Sequence, residues 1–149
     1  MTLALAGSEA AARLDKSLAA GIAEVNPDSL LVKSEFLFDI AAFLKDEPGL
    51  NFNYLVHITA IDYCDYFELV YHLVSLKHNH SLVIKTRCTD RKTPTIPSVV
   101  SLWRGAELQE REIFDLMGIN FEGHPNMKRI FLWEGFQGHP LRKDFTDGS

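Results

Sequence analysis

The sequence predicts an α+β domain, in which an antiparallel sheet of about four strands packs against helices on one face. Apolar residues recur at helical spacing in the first part of the chain, and three β-rich runs follow in the middle. Short connections between successive strands favour antiparallel pairing, and helices placed before a run of strands are typical of the α+β class. With 149 residues, 46% of them hydrophobic and 23% charged, the chain has the composition of one globular domain.

The first predicted element is a helix that ends at Asn26-Pro27-Asp28. Ser8 is a suitable N-cap, and the apolar residues between Leu14 and Val25 form one stripe at helical spacing. This spacing predicts a single helix across the N-terminal segment.

A short strand and a second helix are predicted next. The strand covers Leu30–Lys33, and Ser34 is a suitable N-cap for the helix. The helix carries apolar residues from Phe36 to Leu44 at helical spacing, and Asp46-Glu47-Pro48-Gly49 ends it.

The middle of the chain predicts three strands. They cover Tyr54–Ile61, Phe67–Leu76 and Ser81–Arg87, which are rich in apolar and β-branched residues. The last two are joined by the short polar connection Lys77-His78-Asn79-His80, so we expect them to pair as a hairpin.

The sequence changes character after residue 88. Thr89–Pro97 predicts a loop, Ser98–Trp103 a helical turn, and Ala106–Met117 a helix closed by Gly118 as its C-cap. Residues 119–149 have no clear periodicity, but they carry many aromatic side chains. Disordered segments are poor in aromatic residues, so we do not expect this segment to be freely disordered. We therefore expect an α+β domain over residues 1–118 and an extended partner-docking tail over 119–149, both within one structural unit.

The charge, the cysteine content and the hydropathy of the chain argue against nucleic-acid-binding, secreted and membrane-spanning proteins. The net charge of −5 argues against nucleic acid as a partner. The apolar N-terminus lacks a basic region and is interrupted by charged residues, unlike a signal peptide, and no window offers the ~20 apolar residues that a membrane-spanning helix needs. Cys64 and Cys88 are predicted to be free thiols, so we expect a cytoplasmic chain.

The sequence offers no catalytic, cofactor or metal motif. It has no glycine-rich phosphate loop, no Walker-type lysine and no Gly-x-Ser-x-Gly elbow. His57 and His72 lie on predicted strands, where we expect packed or sheet-face histidines. His78 and His80 lie in the predicted hairpin turn without nearby third and fourth metal ligands. We therefore predict that this chain binds no cofactor or metal of its own.

The densest charged motif lies on the last predicted helix. Glu110 falls on the same stripe as Ala106, Ile113 and Met117, so its carboxylate should meet a packing surface. A buried carboxylate needs partners, and the tail supplies basic residues at Lys128, Arg129, Arg142 and Lys143. The partner belongs either to this chain or to another. The tail also repeats Gly-His-Pro at His124 and His139, which favours a shaped backbone path over a catalytic pair.

The segment EREIFDLMGINFEGHPNMKRI, which begins at Glu110, resembles the signature of the 30 kDa subunit family of respiratory complex I, which is also called the C subunit family. The following GHPLRKDF, Gly138 to Phe145, is similar to the second hallmark of this family. Thr59–Tyr63, Phe67–Leu76 and Ile96–Glu112 are also similar, so that the resemblance covers roughly residues 30–145.

This resemblance implies a structural subunit without a redox centre in the peripheral arm of a proton-translocating NADH:quinone oxidoreductase. Such a protein packs against the hydrogenase-large-subunit-like subunit at the quinone site and lies close to the terminal iron–sulfur subunit. The complex uses NADH, FMN, iron–sulfur clusters and quinone. The resemblance further implies a place on the cytoplasmic face of the cell membrane, with attachment only through the partners.

The resemblance also places the residues of partner contact and assembly on the last helix and the tail. They are Glu110, Arg111, Glu112, Asp115, His124, Lys128, Arg129, His139, Arg142, Lys143 and Asp144. Two alternatives remain open: the equivalent subunit of a membrane-bound hydrogenase or ferredoxin-linked complex, and a free-standing cytosolic ligand-binding domain.

Overall fold

The computed structural model describes residues 2–132 and 136–145, and it confirms the α+β class. The elements, in chain order, are β1 (Leu3–Ala4), α1 (Gly7–Arg13), α2 (Lys16–Ala19), β2 (Ile22–Val25), β3 (Ser29–Val32), a 3-10 turn (Ser34–Phe36), α3 (Leu37–Asp46), β4 (Tyr54–Asp62), β5 (Phe67–Ser75), β6 (His80–Cys88), β7 (Thr95–Pro97), α4 (Ala106–Met117) and β8 (Asn120–Glu122).

The main sheet is mixed and larger than the predicted set of about four antiparallel strands. Its strand order is β2-β3-β6-β5-β4, and β1 pairs with β6. The predicted antiparallel meander β4-β5-β6 is present, but β3 and β1 both run parallel to β6. A parallel partner needs a long crossover connection. The helix α3 and the strands β4 and β5 form this crossover between β3 and β6. The short turns between successive strands give no indication of such a parallel pair.

The predicted single N-terminal helix is wrong in its second half. The chain forms α1 and α2 and then leaves the helix to form β2, which pairs antiparallel with β3. The Asp15 side chain accepts a hydrogen bond from the Ser17 amide at 3.2 Å and begins a new helix there. Pairing with β3 satisfies the backbone of β2, and this tertiary gain overrides the helical spacing. Ser34, predicted as the cap of α3, lies instead in the 3-10 turn.

The core lies on one face of the main sheet. Side chains such as Leu30, Tyr71 and Ile84 pack there in one buried cluster with side chains of α1, α3 and α4. Leu31 and Val70 alternate with these residues, point to the opposite face and lie outside that cluster. Helices therefore cover one face, as predicted, and the other face, called here the open face, carries no helix among the described residues.

The first residues of the predicted tail lie in the packed core. Asn120–Glu122 forms β8, which pairs in parallel with β7, and Ile119 and Phe121 are buried. Residues 123–132 and 136–145 are irregular, as predicted. Residues 133–135 and 146–149 of the tail lie outside the described residues. Within the described part of the chain, no helix has both the length and the apolar character needed to cross a membrane.

Candidate functional site: a C-terminal strap on helix α4

Helix α4 carries most of the predicted contact residues and ends where predicted. Ala106, Ile113 and Met117 form its buried stripe. Gly118 ends it with φ of 76°, a left-handed conformation that glycine adopts without the steric cost of a Cβ atom. A Cβ at Gly118 would lie 2.7 Å from Cδ2 of His139, so the tail packs directly over this end of the helix.

Glu110 is fully buried on this stripe, as the sequence predicts, but its partners are neutral. The Ser98 hydroxyl donates to Oε1 at 2.6 Å, and the Val99 amide donates to Oε2 at 2.9 Å. Burial raises the pKa of Glu110 to about 7, although both hydrogen bonds act in the opposite direction. The expectation that a basic tail residue neutralises Glu110 is therefore not met among the described residues.

The tail follows helix α4 in the direction of the helix. We call residues 123–132 and 136–145 the strap. The Nε2 of His124 lies 2.9 Å from the Glu107 carbonyl oxygen, near the start of the helix. One turn later, Nε of Arg111 donates to the carbonyl oxygen of Lys128 at 3.0 Å. The helix thus binds the strap backbone through successive turns.

Asp115, near the end of α4, is the first anchor of the strap. Its side chain is fully buried, and Oδ2 accepts hydrogen bonds from the amides of Ile130, Phe131 and Leu132 at 3.1, 2.8 and 3.1 Å. Nε of Arg129 donates to Oδ1 at 2.6 Å. Burial alone would raise the pKa of Asp115, but the three amides and the guanidinium together lower it. The carboxylate is therefore charged and fully hydrogen-bonded.

Arg129 connects two parts of the strap to the helix. Besides Asp115, its guanidinium donates to the carbonyl oxygen of Phe136 at 2.6 Å and to that of Gly138. It also donates to the main-chain carbonyl oxygen of Asp115 at 3.0 Å. A guanidinium has five donors in a fixed plane, so one side chain fixes the course of the strap on both sides of residues 133–135.

The strap also satisfies carbonyl groups at the end of α4, which have no partner within the helix. Nδ1 of His139 lies 2.9 Å from the Asp115 carbonyl oxygen, and the Leu141 amide donates to the Leu116 carbonyl oxygen at 2.8 Å. The same Nδ1 also lies 3.0 Å from Nη2 of Arg129, which only donates, so this ring nitrogen faces one donor and one acceptor. The positive charge of Arg129 is favourable here, since the helix C-terminus is the negative end of its dipole.

A second anchor lies at the end of β4. Asp62 is buried, and Arg91 binds both of its oxygens, at 2.7 and 3.0 Å. The strap joins this pair through the Lys143 amide, which donates to Asp62 Oδ2 at 2.9 Å. The Arg91 guanidinium is the main reason that the pKa of Asp62 lies well below its usual range.

Further contacts around Phe67 strengthen this anchor. The guanidinium carbons of Arg91 and Arg142 lie 4.5 and 5.0 Å from the Phe67 ring centroid. Arg142 donates to both oxygens of Asp144 at 2.7 and 2.8 Å, and this contact holds the pKa of Asp144 at about 2. Arg142 also donates to the Arg91 carbonyl oxygen at 2.9 Å, so the strap end and the segment after β6 are joined directly.

The structure thus brings most of the predicted site residues together, with their contacts inside the chain. The first anchor and the helix–strap contacts hold Arg111, Asp115, His124, Arg129 and His139, and the second anchor holds Arg142, Lys143 and Asp144. Glu110 lies apart in the core. Lys128 is exposed and contributes its carbonyl oxygen. That these residues contact another subunit stays a prediction.

Glu112 differs from the other acids of the helix. It is exposed, and no hydrogen bond or ion pair joins it to the described residues. It lies at the rim of a cavity of about 160 Å³ between α4 and β4, lined also by His57 and by Leu141 of the strap. Its carboxylate is therefore open to solvent beside the strap.

Three residues of the second anchor are not among the predicted site residues, namely Asp62, Arg91 and Phe67. Asp62 lies in the family-like segment Thr59–Tyr63, where an acid ends an otherwise apolar strand, and that signal indicates a buried ion pair. Arg91 lies in an irregular segment, and its pairing depends on the fold.

No metal site is evident in the part of the chain that the structure describes. Among these residues, no three His, Cys, Asp or Glu side chains are grouped so as to hold a metal ion. His78 and His80 contact the carbonyl oxygens of Pro48 and Leu50 at 2.7 and 3.2 Å. Cys64 and Cys88 are both free thiols, as expected.

Comparison with known proteins decides the family. Residues 30–149 match the model of the family described as "Respiratory-chain NADH dehydrogenase, 30 Kd subunit". The chain belongs to this family. The resemblance found in the sequence is thereby confirmed, and the matched range runs from the second residue of β3 through α4 and the strap.

Two similar curated proteins are both named as C subunits of NADH-quinone oxidoreductase. The chain is 43% identical over 133 residues to the NADH-quinone oxidoreductase C subunit of Roseiflexus sp. (strain RS-1), covering 87% of this chain and 76% of the relative. It is 44% identical over 123 residues to the NADH-quinone oxidoreductase C subunit of Moorella thermoacetica (strain ATCC 39073 / JCM 9320), with 81% of each chain covered.

Two solved structures are similar in fold. A trypsin-resistant fragment (1-134) of Nqo5 aligns with a TM-score of 0.58 and 32% identity, over 65% of this chain and 80% of that one. A chain of the membrane-bound sulfane sulfur reductase, an archaeal respiratory membrane complex, aligns with a TM-score of 0.69 and 28% identity, over 83% of this chain and 76% of that one.

Proposed function

We propose that this chain is a structural subunit of the peripheral arm of a proton-translocating NADH:quinone oxidoreductase, with no catalytic site of its own. It positions the quinone-site large subunit and the terminal iron–sulfur subunit of the same complex. NADH, FMN, the iron–sulfur clusters and quinone are bound by other chains. The chain lies on the cytoplasmic face of the membrane and reaches the bilayer only through its partners. Membership of the 30 kDa subunit family supports this proposal.

The main observation in support of this proposal is that hydrogen bonds within the chain hold the backbone of the strap in place. Two buried carboxylates, Asp115 and Asp62, hold amide groups of the strap. In contrast, the side chains of Phe131 and Leu141 are 63% and 60% exposed. Large apolar side chains presented at fixed positions are typical of protein contact surfaces, because little conformational entropy is lost on docking.

Glu112 supplies a polar contact beside these apolar side chains. It is exposed on α4 and has no partner among the described residues, whereas Arg111 is committed to the strap carbonyl groups and to Glu107 at 3.6 Å. Arg111 therefore supports the strap from within the chain, and Glu112 is free to contact another subunit.

The test is complex assembly in membranes that express the Glu112→Ala variant. We expect the yield of assembled complex on native gels to fall about tenfold, which corresponds to the loss of one charge-assisted contact in the interface. NADH:quinone turnover per assembled complex should stay unchanged. The Arg111→Ala variant should also reduce assembly more than turnover, because the strap loses its support.

Glu35→Ala is the matched control, because Glu35 is an exposed acid on the 3-10 turn. It should assemble normally. A normal yield of the Glu112→Ala complex with lost turnover would contradict the structural role and favour a direct catalytic one. An unchanged yield and turnover would exclude Glu112 from the contact surface.

A second candidate function is the equivalent subunit of a membrane-bound hydrogenase or ferredoxin-linked complex. The similarity to a chain of the membrane-bound sulfane sulfur reductase favours it, since that complex is also a respiratory membrane assembly. Identification of the proteins that purify with this chain from gently solubilised membranes distinguishes the two. An NADH-oxidising module supports the first candidate, and a hydrogenase or ferredoxin-linked module supports the second.

A further inference from the structure

The open face of the main sheet contains a groove between the β2–β3 turn and the β4–β5 turn. Its volume is about 450 Å³. Ser29 and Leu31 of β3, Lys85 of β6 and Glu68 of β5 form its floor. One wall is formed by Glu24 of β2 and Asp28 of the β2–β3 turn, and the other is the β4–β5 turn with Tyr63 and Tyr66.

The floor of this groove contains polar atoms with unused hydrogen-bonding capacity. The Ser29 side chain is 2% exposed, and its Oγ has no hydrogen-bond partner among the described residues. Glu68 is 5% exposed, and the only contact of its carboxylate among the described residues is with Nε of Arg87, at 3.3 Å. Buried polar groups normally have partners, and a buried carboxylate normally has several. These two side chains are therefore suited to a ligand that donates hydrogen bonds.

The charges and rings around the floor indicate the chemistry of that ligand. Three acids, Glu24, Asp28 and Glu68, line the groove against two bases, Lys85 and Arg87, and three minus two leaves one net negative charge. The rings of Tyr63 and Tyr66 lie 5.3 Å apart at the far wall. Tyr66 already holds the Arg87 guanidinium carbon at 4.7 Å from its ring centroid. Aromatic rings and carboxylates together are a suitable environment for a cation.

We propose that this groove is a second protein-contact surface, and that it takes an arginine or lysine side chain from an extended segment of a neighbouring subunit. The cation donates to Glu68 and Ser29 and lies against the tyrosine wall, while Glu24 and Asp28 attract it from the rim. This inference rests on the proposed function in one respect, namely that the neighbour is a subunit of the same complex. It makes the chain a bridge, with one partner on the strap and another on the open face.

Binding to the full chain is tested first with a tri-arginine peptide, with a tri-glutamate peptide as the charge control. We expect tri-arginine to shift backbone amide resonances of residues 24–31, 63–68 and 85–87, and tri-glutamate to leave them unchanged. Glu68→Gln should weaken tri-arginine binding about tenfold, since one charge-assisted hydrogen bond is lost. Equal shifts with both peptides, or shifts outside these residues, would contradict the proposal.

The Ser29→Ala variant tests tri-arginine binding without an expected loss of folding stability. Because the buried Oγ of Ser29 has no partner in the described part of the chain, its removal should leave the free energy of unfolding equal or higher, whereas tri-arginine binding should weaken. Glu35→Gln, outside the groove, should change neither quantity. If Ser29→Ala binds tri-arginine as well as the unaltered chain does, the hydroxyl is not part of the site.

Cross-linking in the assembled complex then identifies the occupant. A photoreactive phenylalanine analogue is placed at Tyr63 in the groove and, separately, at Leu141 in the strap. Adducts from Tyr63 on a subunit peptide with an arginine or lysine near the cross-link support the proposal. Adducts on a second copy of this chain, or on an acidic segment, contradict it. Adducts from Leu141 alone would overturn the groove proposal and leave the proposed function standing, and adducts from neither position would contradict both.

Discussion

Two fully buried carboxylates on one helix have opposite pKa shifts, because their surroundings differ. Glu110 accepts two hydrogen bonds from neutral donors, and its pKa rises to about 7. Asp115 accepts three amide hydrogen bonds and faces Arg129, and its pKa falls. Glu110 lies deeper in the core, whereas Asp115 lies under the strap with more donors and a cation, so desolvation and hydrogen bonding both contribute to the difference.

Glu110→Gln should remove a pH-dependent loss of stability. The pKa of Glu110 is about 7 in the folded chain and near 4.5 when unfolded, so ionisation favours unfolding. The unaltered chain therefore loses about 3 kcal/mol of stability as pH rises from about 4.5 to about 7. Glutamine carries no charge, and its Oε1 can accept from the Val99 amide while its Nε2 donates to the Ser98 hydroxyl oxygen. Urea unfolding at pH 5 and pH 8 should give a smaller loss for Glu110→Gln than for the unaltered chain.

Glu35→Gln is the control for this measurement, because Glu35 is exposed. Its difference in free energy of unfolding between pH 5 and pH 8 should equal that of the unaltered chain. Parallel pH dependences for Glu110→Gln and the unaltered chain would mean that Glu110 keeps an ordinary acidity in the fold.

At the residue scale, the sequence predicts the burial of Glu110 but not the role of Asp115. Glu110 shares a stripe with Ala106, Ile113 and Met117, and periodicity alone places that stripe on the core. The partner of Asp115 is Arg129, 14 residues later, beyond a strand and an irregular segment. No local pattern relates the two residues, because the fold of the strap brings them together.

At the scale of elements, the end of α4 joins helix and strap. Gly118 permits the left-handed turn, His139 packs over it, and strap residues satisfy the last helical carbonyl groups. The Ala106–Met117 helix is predicted with its observed bounds, since the apolar stripe and the C-cap glycine agree. The N-terminal helix is wrong from residue 20 onward, because an equally regular apolar stripe pairs there with a neighbouring strand.

Gly118→Ala should destabilise the chain by about 2 kcal/mol. A Cβ atom is unfavourable at φ of 76°, and it would lie 2.7 Å from the His139 ring, which must then move away. Thermal unfolding should show a lower midpoint. Gly105→Ala is the matched control, because Gly105 has φ of −60° and its added Cβ meets nothing within 4 Å. Equal midpoints for the two variants would mean that His139 does not pack on Gly118 in solution.

At the scale of the whole molecule, the two anchors fasten one strap to two layers of the fold. Asp115 joins it to helix α4, and Asp62 joins it to the sheet. The meander and the class of the fold follow from the sequence, because neighbouring strands pair through short turns. The parallel strands and the second anchor do not follow from it, since both depend on contacts between distant segments.

Arg91→Gln should release the end of the strap while the sheet stays folded. Asp62 loses its bidentate partner, and Asp144 loses a contact at 3.3 Å. Trypsin should then cleave after Arg142 and Lys143 about tenfold faster, because local opening costs less free energy. Arg129 should remain protected by Asp115.

Arg104→Gln is the control for the proteolysis experiment, since Arg104 is exposed and has no contact with Asp62 or Asp144. Its cleavage rate should match that of the unaltered chain. If Arg91→Gln and Arg104→Gln are cleaved equally, Asp62 and Arg91 do not hold the strap.

The residues of the second anchor lie far apart in the sequence, so the ribosome adds them at different times. Asp62 and Arg91 are 29 residues apart, whereas Asp62 and Lys143 are 81 residues apart. At a synthesis rate of roughly 5–20 residues per second, Lys143 follows Arg91 by about 3–10 s. The ion pair can therefore close while the ribosome is still adding helix α4 and the strap. The strap, which carries the proposed contact surface, is thus added after the strands of the main sheet, and the second anchor is complete only when Lys143 arrives.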